Sequence, residues 1–258
     1  MAGVPKTKIE DVSARFHRFI GAYTETLKVN MFAYNALEAD YKRLVTLPEF
    51  EADARTHLGH LYSYILDEAG FRHNFERARQ LEGKTPSWRV DFISAALNFG
   101  FFQEAKAELD APWDFSNPEI IRAVRSYMIS TGLFESAARL TRTLQSMKLD
   151  ARHSNRATTD YMYDEIFCAE EIIKESGATE LFVMERIIVA SKLILERVKK
   201  PLHRYAISVN YDSGIQYSFA IDDTPENLVE LDWAIAEKLV ETFDEPMSHV
   251  ISLVTRPL

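Results

Sequence analysis

Two stretches of this 258-residue chain repeat one short message 32 positions apart: Phe99-Gly100-Phe101-Phe102-Gln103-Glu104-Ala105 and Thr131-Gly132-Leu133-Phe134-Glu135-Ser136-Ala137. Each copy has an apolar run, a Gly that ends it, an aromatic two residues on, and an Ala three beyond that. Glycine takes the left-handed turn that closes a helix at the lowest steric cost. The aromatic plugs the gap between two antiparallel helices, and Ala lets their backbones approach. Residues 86–147 are therefore expected to form two stacked helical hairpins, with Gly100 and Gly132 at equivalent turns.

Thr85-Pro86 and Asn117-Pro118 open the two copies in the same way, a capping residue followed by proline at the first helical position. On these residues the chain resembles tetratricopeptide-type repeats, whose helix A to helix B junction reads Gly-x-Tyr/Phe-x-x-Ala with a period of about 34 residues. The resemblance is to an architecture. It implies a helical array in which the first helix of each pair lines a concave groove.

Helical spacing extends beyond the repeats. Ile9, Val12, Phe16, Phe19, Ile20, Tyr23 and Leu27 share one face, and Met31, Tyr34, Leu37, Tyr41, Leu44 and Val45 another. Pro48 is expected to start a third helix carrying Phe50, Ala54, Leu58, Leu61 and Ile65 and ending before Gly70. Phe71, Phe75 and Ala78 predict a short helix stopped by Gly83. Met162 to Leu195 reads as a further helix pair around Gly177, finished before Pro201.

Past Pro201 the period falls to two. Tyr205, Ile207, Val209 and Tyr211, then Ile215, Tyr217, Phe219 and Ile221, alternate with smaller residues around Asp212-Ser213-Gly214 and predict a β-hairpin. Thr224-Pro225-Glu226 caps a helix with Leu228, Leu231, Ile235 and Leu239 on its face, and Ser248 to Thr255 reads as a last strand. The expected fold is mainly α: a helical hairpin array over 1–200, then a small β-β-α-β unit over 201–258. The strands supply apolar groups to both sides of the pleat, so the sheet is expected to need a covering layer on each face.

The formal charge of −9 disfavours broad nucleic-acid binding, which needs an excess of cations. The charge is polarised. Residues 119–156 hold seven Lys/Arg against three acids, whereas 205–258 hold ten acids against Lys238 and Arg256. No apolar run is long enough to span a bilayer, and the first residues lack a signal-peptide core, so neither membrane nor secretion is expected. Cys168, the single cysteine, excludes internal disulfides and points to a cytoplasmic setting.

Candidate chemistry is sparse. Asp53, His57, His60, Tyr64 and Asp67 fall at helical spacing and form one stripe, where imidazoles and carboxylates suit a metal or a proton relay. One helix supplies too few converging ligands, so a polar stripe between helices is the expected role and no metal or cofactor is assigned. Gly83-Lys84-Thr85 resembles the end of a phosphate loop but lacks the preceding glycine and strand. Cys168 lies in an amphipathic pattern and reads as core. Arg122 and Arg125, one turn apart off the Ile121, Val124, Met128 face, are the leading partner-binding candidates, to clamp a carboxylate or phosphate of a peptide. Arg139 and Arg142, with Arg152, His153 and Arg156, extend that basic strip.

The expected function is a non-enzymatic scaffold or adaptor that binds a protein or peptide, with self-association included. The alternatives are RNA binding through the basic 119–156 segment and a metal-dependent enzyme built on the Asp53–Asp67 stripe.

Overall fold

The computed structural model describes residues 6–114, 116–147, 158–202 and 204–257, with side chains omitted for 6–9 and 158–163. In chain order the elements are α1 (Lys6–Thr26), α2 (Met31–Leu44), α3 (Glu51–Ser63), α4 (Glu68–Glu82), α5 (Pro86–Asn98), α6 (Phe102–Asp110), α7 (Pro118–Ser130), α8 (Phe134–Ser146), α9 (Thr158–Glu175), α10 (Glu180–Val198), β1 (Tyr205–Asn210), β2 (Gly214–Ala220), α11 (Pro225–Thr242) and β3 (Ile251–Arg256). The fold is mainly helical with a small C-terminal β-β-α-β unit. By packing it divides into two compact units, Met1–Phe101 with Lys200–His203, and Phe102–Lys199 with Arg204–Leu258. That division follows a different line from the change of period at 200/201, because the sheet shares its core with α9 and α10.

The two repeat copies begin and turn in register. Thr85 caps α5 by accepting from Trp88 N, and Asn117 caps α7 by accepting from Glu119 and Ile120 N. At the far end of α5, Phe101 N reaches Ala96 O at 3.0 Å and Gly100 N reaches Leu97 O at 3.0 Å. At the end of α7, Leu133 N reaches Met128 O at 2.8 Å and Gly132 N reaches Ile129 O at 3.0 Å. This paired pattern closes a helix around a left-handed residue, and Gly100 and Gly132 sit at φ 73° and 79°. Gly132 is constrained twice, since a Cβ there would lie 2.7 Å from Ile187 Cδ1 of α10. Phe102, Phe134, Ala105 and Ala137, the aromatic and small residues of the repeated message, are all buried.

A third turn of the same design escapes the sequence pattern. Asp67 N bonds Tyr62 O at 3.1 Å and Leu66 N bonds Ser63 O at 3.4 Å, with Leu66 at φ 56° between α3 and α4. The chain therefore turns at Leu66. Gly70 lies in the first turn of α4, where Asp67 caps its N–H at 2.9 Å, and Pro48 precedes α3 in a turn. Leucine accepts a left-handed backbone at a cost of about 1–2 kcal/mol, and the packing behind it supplies the offset. Phe71, Phe75, Trp88 and Phe99 form an aromatic core with Leu66 and Phe92 against it. Gly59 admits Phe75 into this core, because a Cβ on residue 59 would lie 2.5 Å from the Phe75 ring.

The sheet has order β1-β2-β3, with β1 and β2 antiparallel and β2 and β3 parallel. Register corrects the expectation of a two-faced sheet. Ile207 faces Tyr217, Val209 and Ile251 flank Ile215, and Leu253 pairs with Tyr217, so the large apolar groups share one side. Ser208, Asn210, Gln216 and Ser252 take the other side. The apolar side is covered within the unit: α9 packs on β1 and β2, and α10 and α11 pack on β3. Tyr217 Oη donates to Ser130 O of α7 at 2.6 Å, tying the sheet to the helices. A polar outer side needs no second layer.

Candidate interaction surface

The Asp53–Asp67 stripe is an interhelical packing element. His60 is buried, its Nδ1 lies 3.2 Å from Asp91 Oδ1 of α5, and its ring stacks on Tyr64 and meets Phe16 edge-on. His57 stacks on Tyr41 at 5.2 Å and also meets Phe16 edge-on, while its Nδ1 lies 2.8 Å from Asp53 O. Asp53 is exposed and Asp67 is the cap of α4. Burial pushes the Asp91 carboxyl up, but the hydrogen bond with His60 and the fields of His60, His57 and His17 outweigh it and hold it below its ordinary value. Asp91 lies inside the run Trp88–Leu97 and has no partner at helical spacing, so the sequence does not pair it with His60. Among the described residues no group of three or more His, Cys, Asp or Glu side chains is placed to hold a metal ion.

The four arginines separate. Arg122 is exposed on α7, whereas Arg125 is buried and does not share the polar side expected from its spacing. Arg142 of α8 clamps Glu170 of α9 through both terminal guanidinium nitrogens, Nη1 at 3.0 Å, and Lys174 reaches the same carboxylate at 2.8 Å. Those hydrogen bonds hold the buried Glu170 carboxyl below its usual range against the opposing effect of burial. Arg139 is exposed and donates to Ser136 Oγ at 3.0 Å. Arg152, His153 and Arg156 lie outside the described residues. Gly83 is the left-handed stop of α4 and Thr85 the cap of α5. Burial is the main influence on Cys168 and pushes its thiol up, away from the reactive thiolate.

Each unit carries a sizeable concavity of its own. In the second unit, Ile129, Phe134, Ile166 and Ile207 wall a cavity of about 280 Å³ beside Glu165, whose carboxyl is pushed up by burial. In the first unit, α1 and α2 enclose a groove of about 330 Å³ floored by Phe19, Tyr23 and Leu37 and rimmed by Arg15, Arg18 and Lys28. Phe32 stands on its lip, 86% exposed.

The most unusual surface lies on α11, where sequence reading identified only the core face. Leu228, Leu231 and Ile235 are buried against the sheet layer as expected. On the outer side Val229, Trp233 and Val240 remain 55%, 70% and 67% exposed. Their spacing of four and seven sets them in one stripe. Glu226, Glu230, Glu237 and Glu241 run beside it at the same helical spacing, all exposed. The helix is held firmly from behind. Asp232 Oδ1 accepts from Thr255 N at 2.6 Å and from its hydroxyl at 2.8 Å.

Beyond its C-terminus a buried arginine pins the return loop. Arg186 of α10 donates through Nε to Pro246 O at 3.1 Å and through Nη2 to Glu245 O at 2.5 Å, and Phe243 stacks over it at 4.0 Å. Burial lowers that guanidinium to about 10 against the opposing field of Glu185. Large aromatics dominate binding energy when they become desolvated, which makes the exposed tryptophan between two valines on this fixed helix the candidate contact surface.

Among the described residues no helix is long and apolar enough to cross a membrane. Comparison with models of protein families, with curated proteins and with solved structures finds no match to this chain.

Proposed function

We propose that the chain is a non-catalytic helical scaffold or adaptor that binds another protein or peptide, and that α11 presents its contact surface. The observation that carries this reading is the stripe Val229, Trp233 and Val240, exposed on a helix whose opposite face is packed and hydrogen-bonded. Isolated exposed hydrophobics are ordinary, but three at helical spacing around a tryptophan, edged by carboxylates, have the apolar centre and polar rim of an interface. The commitment of Arg142 to Glu170 and the burial of Arg125 favour this surface over the basic segment, because two of the four arginines expected to meet a partner already serve the fold. The single cysteine suits a reducing, cytoplasmic setting.

Affinity capture from native extract, with and without nuclease, tests the proposal. The wild-type chain should retain a protein partner after nuclease treatment, and Val229→Glu with Trp233→Glu should lose it without any change in melting. Undiminished capture by that double variant would remove α11 from the account. Capture abolished by nuclease would favour the RNA alternative.

A further inference from the structure

The acidic, apolar face of α11 has a counterpart on the chain itself. The groove between α1 and α2 is opposite in charge: Arg15, Arg18 and Lys28 line it, and among the described residues of its lining there is no carboxylate. Arg15 is engaged by Asp40 at 2.7 Å, while Arg18 is exposed at the mouth. The floor is apolar, and Phe32 on the lip is among the most exposed large side chains of the molecule. At about 330 Å³ the groove falls in the range that houses small-molecule ligands, so an indole fits within it.

We infer that α11 of one copy docks into the α1–α2 groove of a second copy, with Trp233 on the apolar floor and the glutamate ladder facing Arg18 and Lys28. This rests on the binding-scaffold reading and names its partner as another molecule of the same chain. Charge decides between the modes of self-association. Two α11 faces brought together would oppose Glu226, Glu230, Glu237 and Glu241 with an identical set, and two grooves would oppose cations with cations. Like charges facing one another across an interface are strongly unfavourable, whereas the groove and the helix complement each other in sign and in apolar content. The contact is therefore heterologous, head to tail, and each copy offers one donor face and one acceptor face. Such a contact grows into rings or open chains, and salt weakens it because its charged rim is solvent-exposed.

A mixing experiment on the full chain tests this arrangement by sedimentation velocity or light scattering. One variant blocks the groove (Arg18→Glu with Phe32→Glu) and a second blocks the helix (Val229→Glu with Trp233→Glu). All four residues are exposed, so both variants should melt with the wild type. The wild type should associate with rising concentration and less so at high salt. Each variant alone should be monomeric, and an equimolar mixture should give a one-to-one dimer, because the groove variant retains its helix and the helix variant its groove. A groove variant that still self-associates would overturn the assignment in favour of α11 pairing with itself. So would a mixture that stays monomeric. A wild type that is monomeric at every concentration overturns the second copy as partner; if the same protein still captures a partner through Trp233, the scaffold reading survives, and if it does not, both fail.

Discussion

Two stripes of side chains at the same helical spacing have opposite fates in this molecule. His57 and His60 on α3, with Tyr64 at its C-terminal end, carry groups suited to metal or proton chemistry and are enclosed between helices by Phe16, Phe19, Tyr23 and Tyr41. Val229, Trp233 and Val240 on α11 lie off the face that the sequence pattern picks out as core, and they stand at the surface. Spacing alone says that residues share a face; what lies across from that face decides their role. The α3 stripe meets three other helices, and the α11 stripe meets solvent because the opposite side of α11 already satisfies the sheet.

Substitutions sharpen the contrast. Tyr64→Ala should cost the most, about 3–5 kcal/mol, since it empties a site that Phe19 and Tyr23 meet edge-on; denaturant unfolding measures it. Arg125→Glu should come close behind at about 3–5 kcal/mol, because it places a carboxylate where a guanidinium is buried, whereas Arg122→Glu should stay within about 0.5 kcal/mol. Equal effects at the two arginines would show that their environments are not the ones described.

His60→Ala should cost about 2–3 kcal/mol, through lost ring packing and the lost partner of Asp91. Asp91 carries a pH signature of definite sign. Its carboxyl is held below its ordinary value in the folded chain, so the unfolded chain binds its proton more readily. The associated stability is fully present above about pH 4, the unperturbed carboxylate range, and is lost as pH falls through the lower folded value. Asp91→Asn should lower stability near neutrality by about 1–2 kcal/mol and flatten the acid limb of the stability curve. An unchanged acid limb would separate Asp91 from His60. At the small end, Trp233→Glu should alter stability by no more than about 0.5 kcal/mol while changing every binding assay.

What could be read in the sequence follows the punctuation. The turns at Gly100 and Gly132 were legible because glycine marks a left-handed residue and because Thr85-Pro86 and Asn117-Pro118 mark the starts. The α3–α4 turn was not, since Leu66 takes the same backbone under pressure from its surroundings and carries no compositional mark. Alternation predicted the strands, but only register revealed that their apolar residues fall on one side. Asp91 was hidden for a related reason: its partner lies on another helix, and sequence spacing reports neighbours along one helix only. The second stripe of α11 stands at positions 229, 233 and 240, but the stronger pattern of Leu228, Leu231, Ile235 and Leu239 accounts for the helix by itself, and spacing does not say that a second apolar face meets solvent.

Hydroxyl-radical footprinting of the dilute chain, followed by footprinting of the complex retained in affinity capture, reads both stripes at once. The account predicts rapid oxidation of Trp233 and slow oxidation of Tyr64 in the dilute chain, then selective protection of Trp233 in the complex. A Trp233 that is already protected when the chain is dilute, or one that oxidises equally fast in the complex, would contradict the claim that the outer face of α11 is the binding surface.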